Sequence, residues 1–368
     1  MMNKMIIANL VHRPIRSLIS ISAVALEVIL ILLIVSFFYG QLNGSKASQV
    51  GVGADVMVLP PGSSGIVAVS GAPIPVKVGD ILRKLPHVVA EAPVVWELTT
   101  KPSLEVIYGI DIDSYNSVPP ALHFLSGGAF QKPYDVIVDD YFAGARKAKV
   151  GDSIEILNHQ FRICGIVEHG KGARKFMPIA TMQDLIGAPG HASVFYIKLD
   201  DPANADAVVN EIKQVPGMED YSVRSMQEYL SMMTPENLPG FATAIRLVVA
   251  ISMVIGFLVI FQSMYTAVME RTREIGILKA LGASKLYIMS AVLRESALLA
   301  IAGVMVGTIV SFVTRRIILV ELPTQRLFWS NEWVLRATVL ALVGALAGAL
   351  YPAFKAAGKD PIEALAYE

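Results

Sequence analysis

Four stretches of this chain, 17–39, 247–268, 296–314 and 337–354, are long and nearly free of charge. Each is close to the roughly 20 residues a helix needs to cross a hydrocarbon core, where every backbone N–H and C=O must be satisfied internally. Four such runs make the chain a polytopic helical membrane protein. Composition agrees, with 17% charged residues and a mean hydropathy of +0.55, where a soluble domain carries roughly 25% charge. The first run follows Lys4, Arg13 and Arg16, as a secretory signal would. Its apolar part is too long for a signal and no small-x-small site closes it, so it reads as a retained anchor.

The expected fold class is four transmembrane α-helices plus a large α+β extracytoplasmic domain inserted between helices 1 and 2. The expected segments are an N-terminal piece 1–16, span 17–39, domain 40–240, span 241–268, connection 269–288, span 289–314, loop 315–336, span 337–354 and tail 355–368. Within 40–240, "ADVMVLPPG", "SLEVIYGID", "YDVIVDD" and "ASVFYIKLD" alternate as strands do, and "DSIEILNHQFRICGIVE" reads as a hairpin turning at Asn158-His159. Val78, Ile81, Leu82 and Leu85 share one helical face, as do Ala205, Val208, Ile212 and Val215.

Lys+Arg and Asp+Glu balance at 31 each, so charge points to no nucleic-acid partner. The lone Cys164 excludes an internal disulfide framework and reads as a buried strand residue, and the six histidines form no metal-ligand spacing. "GIVEHGKG" is one residue short of a phosphate-binding loop: Gly172 stands where the hydroxyl should be, and Pro178 interrupts the helix that should follow. No nucleotide, metal or other cofactor is expected on this chain. Asp139-Asp140 and Asp200-Asp201 read as strand-end and turn residues rather than catalytic pairs.

Orientation follows Lys and Arg in the short flanks. The side of both termini and of 269–288 carries nine (Lys4, Arg13, Arg16, Arg271, Arg273, Lys279, Lys285, Lys355, Lys359); the loop 315–336 carries four. Both termini are therefore expected in the cytoplasm. Gly303-x-x-x-Gly307 and Gly344-x-x-x-Gly348 permit close helix approach, within the chain or between chains. Glu27, mid-span, is the intramembrane polar candidate, with Gln262 a partner to consider. Arg294-Glu295 reads as a boundary marker of the third span.

The segment "ERTREIGILKALGAS", 270–284, is a polar island between two apolar runs. As a helix it groups Ile277, Leu278 and Leu281 on one arc and Arg273, Gly276, Lys279, Ala280 and Ala283 on the other. Gly282 is a helix stop and Ser284 an N-cap for the next helix. Such a helix could lie in the membrane interface or fill a groove on a cytosolic partner.

"MERTREIGILKALGAS" and the tail "GALYPAFKAAGKDPIEALAYE" resemble the signatures of the FtsX/MacB-type permeases, the membrane subunits of one class of ABC transporter. "KVGDSIEILNHQFRICGIVE" is similar to their periplasmic core domain, and the order of one span, a large outer domain and three spans matches across the whole chain. The resemblance implies a second permease copy (homodimer or paralogue) on a cytosolic ABC ATPase dimer in trans, which would bind ATP and Mg. It also implies a multi-pass protein of the bacterial inner membrane, in contact with membrane lipids, and itself no enzyme. Segment 269–288 becomes a coupling helix, with Glu270, Arg273, Glu274, Ile275, Gly276, Lys279 and Gly282 at the ATPase; Pro352, Asp360, Pro361, Glu363, Ala364 and Leu365 carry the C-terminal family motif. Export of a lipid, peptide, glycolipid or drug with a membrane-fusion adaptor protein is the first expectation. FtsX-like activation of a cell-wall hydrolase and Lol-like lipoprotein extraction are the alternatives.

Overall fold

A computed structural model describes residues 14–63, 73–99, 105–238, 240–321 and 325–360. The chain forms two compact units: a helical bundle, and an inserted domain of Gln41–Pro239 with Leu322–Arg326. Helix α1 (Pro14–Val52) starts in the bundle and ends in the inserted domain. It runs 39 residues, well past the apolar window at 17–39, because the polar residues that follow contain no proline and no left-handed residue until Gly53 (φ +85°).

The inserted domain follows with strands β1 (Val56–Leu59), β2 (Ile74–Pro75), β3 (Val88–Thr99), β4 (Glu105–Ile110), β5 (Phe124–Gly127) and β6 (Asp135–Asp139). Then come β7 (Ser153–Ile156), β8 (His159–Val167), β9 (Lys175–Pro178), β10 (His191–Ala192), β11 (Val194–Leu199) and β12 (Ser222–Ser225). Six helices interleave: α2 (Val78–Leu82), α3 (Ile112–Ser117), α4 (Asp140–Arg146), α5 (Ile179–Leu185), α6 (Ala205–Gln214) and α7 (Met226–Met232). The main sheet runs β12-β1-β11-β3-β4-β9-β6-β8-β5, with β7 paired to β8. It is mixed: β4–β9 and β6–β8 are parallel, the other pairs antiparallel.

Both faces of the central strands β1, β11, β4 and β6 are buried, successive side chains pointing to opposite sides. On β11, Phe195 and Ile197 pack with Leu82, Val208 and Ile212 of α2 and α6, while Val194 and Tyr196 join the opposite face. That opposite face is aromatic. Trp96 stacks on Tyr108 at 6.0 Å, and Phe176 meets Tyr108 edge-on. Gln49 of α1 donates to the Tyr108 hydroxyl (3.1 Å) and accepts from that of Tyr196 (2.9 Å), so the buried phenols are satisfied. The β7–β8 hairpin turns at Leu157-Asn158, one residue earlier than expected. Both have positive φ (50° and 63°), the mirror-image turn whose twist suits a two-residue hairpin. Cys164 is buried in β8, its Sγ donating to Val136 O (3.5 Å).

Asp139 ends β6 at 1% exposure, and its Oδ1 accepts from the Phe142 N–H (2.7 Å), capping α4. Its Oδ2 has no partner among the described residues. Burial outweighs the cap bond and lifts the carboxyl from its ordinary 3.8 to about 6. The folded state therefore holds a proton that the unfolded chain releases near pH 4. Stability is fully present below that value and falls as pH rises through about 6, by roughly 3 kcal/mol at most. Asp139→Asn keeps a capping side chain and should flatten this slope in thermal melts taken between pH 4 and pH 8; an unchanged slope would place the dependence elsewhere.

The bundle adds α8 (Phe241–Glu270), α9 (Thr272–Ala280), α10 (Lys285–Glu321) and α11 (Asn331–Gly358). With α1, the helices α8, α10 and α11 are four that are long and apolar enough to cross a membrane. They outrun the apolar windows, so the 315–336 loop is helical to Glu321 and again from Asn331, where the Ser330 hydroxyl caps α11 by accepting from Trp333 N–H. Valines 24, 28 and 35 of α1 pack with Ile260, Met264, Leu299 and an alanine stripe (337, 341, 345, 349) on α11. The small-residue motifs act within the chain. A Cβ at Gly303 would lie 2.6 Å from Val24 Cβ, one at Gly307 2.8 Å from Ala25 O, and one at Gly348 2.7 Å from Phe257 O; Gly344 is looser, at 3.8 Å from Met253. Ser20 and Ser263 hydroxyls meet at 2.6 Å, and the Ser296 hydroxyl donates to Ala345 O at 3.0 Å, cross-linking helices by hydrogen bonds.

Candidate functional site: the short helix between two spans

Chain direction changes sharply between α8 and α10. Arg271 leaves helical geometry (φ −106°, ψ 16°), the Thr272 hydroxyl donates back to Met269 O (2.9 Å), and α9 runs for nine residues. Glu274 in its first turn and Lys279 in its last complement the helix dipole. Gly282 (φ +93°) ends it, and the Ser284 hydroxyl accepts from Tyr287 N–H (3.2 Å) to start α10. A φ of that sign suits glycine, which has no Cβ to clash.

The inward face of α9 differs from the arc expected of it. Ile275 and Gly276 are buried, and Ile275 joins Val268, Ile288 and Ala356, with Leu278 and Ala283 packed against them. Ile277 and Leu281 point outward at 45% and 81% exposure, beside exposed Arg273, Glu274, Ala280 and Gly282. The neighbours of a helix decide which side is covered, and α10 and α11 offer their apolar surface to the 275/278 side. Lys279 faces inward too, its Nζ donating to Ala357 O (3.0 Å) and to Lys359 O.

Behind α9 lies an ion network assembled from three segments. Glu295 of α10 accepts from both terminal nitrogens of Arg271 (3.0 and 3.3 Å) and from Arg16 of α1 (3.3 Å). Arg16 also donates to Glu270 (3.3 Å). The side chains of Arg16, Arg271 and Glu295 are 14%, 11% and 7% exposed, so the group is nearly water-free. Glu295, which reads in the sequence as a boundary marker of the third span, is also the hub of this network. Its signal in the sequence is a charged pair, Arg294-Glu295, inside a mostly apolar run.

Of the C-terminal motif, Pro352 is buried within α11 and Asp360 follows Lys359 at the surface; Pro361, Glu363, Ala364 and Leu365 lie outside the described residues. Glu27 sits apart from α9, in the bundle interior at 2% exposure. Its Oε1 has no hydrogen-bond partner among the described residues, so the expected pairing with Gln262 is not made; Gln262 is exposed. What accommodates Glu27 is Gly256 of α8, where a Cβ would come within 1.9 Å of its Oε2. No group of His, Cys, Asp or Glu able to hold a metal occurs among the described residues.

Four membrane-length helices, a large α/β insertion after the first, and a short broken helix between the second and third define a multi-pass permease subunit. The MacB-like periplasmic core domain matches residues 17–215, and the FtsX-like permease C-terminal region matches 246–361. The chain belongs to the FtsX/MacB-type ABC transporter permeases. It is 28% identical over 235 residues to an uncharacterized ABC transporter permease, MJ1507, of Methanocaldococcus jannaschii, covering 60% of this chain and 58% of that one. It is 26% identical over 322 residues to the macrolide export ATP-binding/permease protein MacB of Shewanella sp., covering 80% and 49%. It is 24% identical over 243 residues to a protein described as a hemin transport system permease, HrtB, of Staphylococcus haemolyticus, covering 66% of each. The chain thus spans between about half and two thirds of the length of these relatives.

Proposed function

We propose that this chain is the membrane subunit of an ABC transporter, that both termini and α9 face the cytoplasm, and that α9 is the surface gripped by an ATPase encoded separately. The observation that carries this is the two-sided build of α9. Its back is fixed by Ile275, by Lys279 on the end of α11 and by the ion network, while Arg273, Glu274, Ile277, Leu281 and Gly282 are exposed at the front. Gly276, Ile275 and Lys279 then support the contact rather than make it. A rigid back lets a push on the front reach α1, α8, α10 and α11 together. ATP and Mg belong to the partner. Two permease copies on an ATPase dimer would drive the outer domain in export of a lipid, peptide, glycolipid or drug, with a membrane-fusion adaptor.

The test is co-purification of an ABC ATPase with the tagged full chain from its native membrane. Glu274→Lys combined with Leu281→Asp changes only exposed side chains, so the permease should fold and insert as before while captured ATPase drops at least about tenfold, the effect of roughly 1.4 kcal/mol. Undiminished capture would remove α9 from the interface. Stimulation of the captured ATPase by candidate lipids or peptides in nanodiscs tests transport separately.

A further inference from the structure

The inserted domain contains a recess of about 400 Å³ that the coupling mechanism leaves unused. Its size falls within the range of small-molecule sites, about 300–1,000 Å³. One wall is apolar and aromatic, built from the stacked Trp96 and Tyr108. The facing wall is a stripe of α1, Gln41, Gly44, Ser45 and Ser48, spaced so that all four share one helical face. Every one of these residues belongs to the same compact unit.

Two guanidiniums converge on the recess, Arg174 and Arg326. Arg326 is seated tightly: it donates to Gly44 O, and a Cβ at Gly44 would fall 2.2 Å from its Cδ. Burial, and then the charge of Arg174, pull the Arg326 guanidinium below its ordinary value, with Tyr141 and Asp139 acting in the opposite direction. Two guanidiniums lining one partly desolvated recess suit an incoming anion, to which arginine can donate charge-assisted hydrogen bonds. Of the two carboxylates there, Glu105 is engaged by Lys175. The other is Asp139, 1% exposed, with Oδ2 unpartnered among the described residues.

We infer that this recess binds an amphiphile through a phosphate or carboxylate seated between Arg174 and Arg326, with the apolar part of the molecule on the Trp96–Tyr108 wall. Asp139 opposes the anion and sets how tightly it is held. The inference concerns the inserted domain alone and stands whether or not an ATPase grips α9.

The full chain in phosphatidylcholine nanodiscs, titrated calorimetrically with three probes, tests it. Dihexanoyl phosphatidic acid should bind, inorganic phosphate should bind at least tenfold more weakly, and dihexanoyl phosphatidylcholine should give no saturable heat. Arg326→Gln and Arg174→Gln should each weaken the phosphatidic acid at least tenfold. Asp139→Asn, which keeps the α4 cap, should tighten it several-fold, an effect that a purely structural role would not produce. Inorganic phosphate binding as tightly as the lipid would overturn the amphiphile assignment and leave a free-phosphate site. Phosphatidic acid binding unaltered by both arginine substitutions, or weakened by Asp139→Asn, would overturn the site.

Discussion

Glu295→Ala is expected to lower the stability of the helical bundle by about 3–5 kcal/mol, the usual cost of removing one partner from a buried ion network. The carboxylate is 7% exposed and neutralises Arg271 through two hydrogen bonds and Arg16 through a third. Its loss leaves two guanidiniums nearly water-free, one of them still on Glu270. Arginine cannot shed its charge to escape, as a lysine could. The measurement is thermal unfolding of the detergent-solubilised protein, with Glu295→Gln expected to fall between wild type and alanine. Replacing all three residues with methionine or leucine should recover most of the loss, since apolar side chains of similar volume often substitute for a buried ion cluster. A melt unchanged by Glu295→Ala would mean the network contributes nothing to folding, and the fixed back assigned to α9 would fall with it.

Gly53→Ala is the second large effect. Gly53 closes α1 with φ +85°, its N–H donating to Val50 O (3.0 Å), the left-handed residue at which many helices stop. A Cβ there would lie 1.8 Å from the carbonyl oxygen of Pro119, and backbone cannot rotate away as a side chain can. The left-handed conformation alone costs an L-residue about 1–2 kcal/mol; the collision forces the end of α1 off its seat at additional cost. Gly62→Ala isolates the first part, because Gly62 has φ +71° and a Cβ there would meet nothing within 4 Å among the described residues. Limited proteolysis of the inserted domain should show Gly53→Ala cleaved much faster than Gly62→Ala. Equal rates would show that the Pro119 contact is immaterial.

The spans were readable from the sequence because hydrocarbon leaves a helix no alternative to a long apolar run. Their ends were not, because polar residues such as those at 41–52 continue a helix as readily as they leave one. The longest strand among the described residues, β3, is not legible in the sequence for a physical reason. It carries Pro93 opposite Phe195 and glutamates at 91 and 97, residues that sit poorly in a central strand taken by itself. Glu91 is accommodated there by Arg83, at 2.5 Å. At the candidate site, the break, the stop at Gly282 and the cap at Ser284 were legible because each is a local matter of one or two residues. Which face of α9 turned inward was not, since Ile277 and Leu281 look as apolar as Ile275 and Leu278. The ion network was hidden more deeply, because Arg16 and Glu295 are 279 positions apart.

The grip of Lys279 on the end of α11 has a consequence for how this protein varies among its relatives. Both of its acceptors, Ala357 O and Lys359 O, are main-chain atoms. Any residue at 357 or 359 presents the same carbonyl, whereas position 279 must present a long side chain tipped with a donor. The contact should therefore constrain a single column of an alignment and leave no paired substitutions for co-variation to detect. Searches for coupled positions would overlook one of the ties that hold α9 in place.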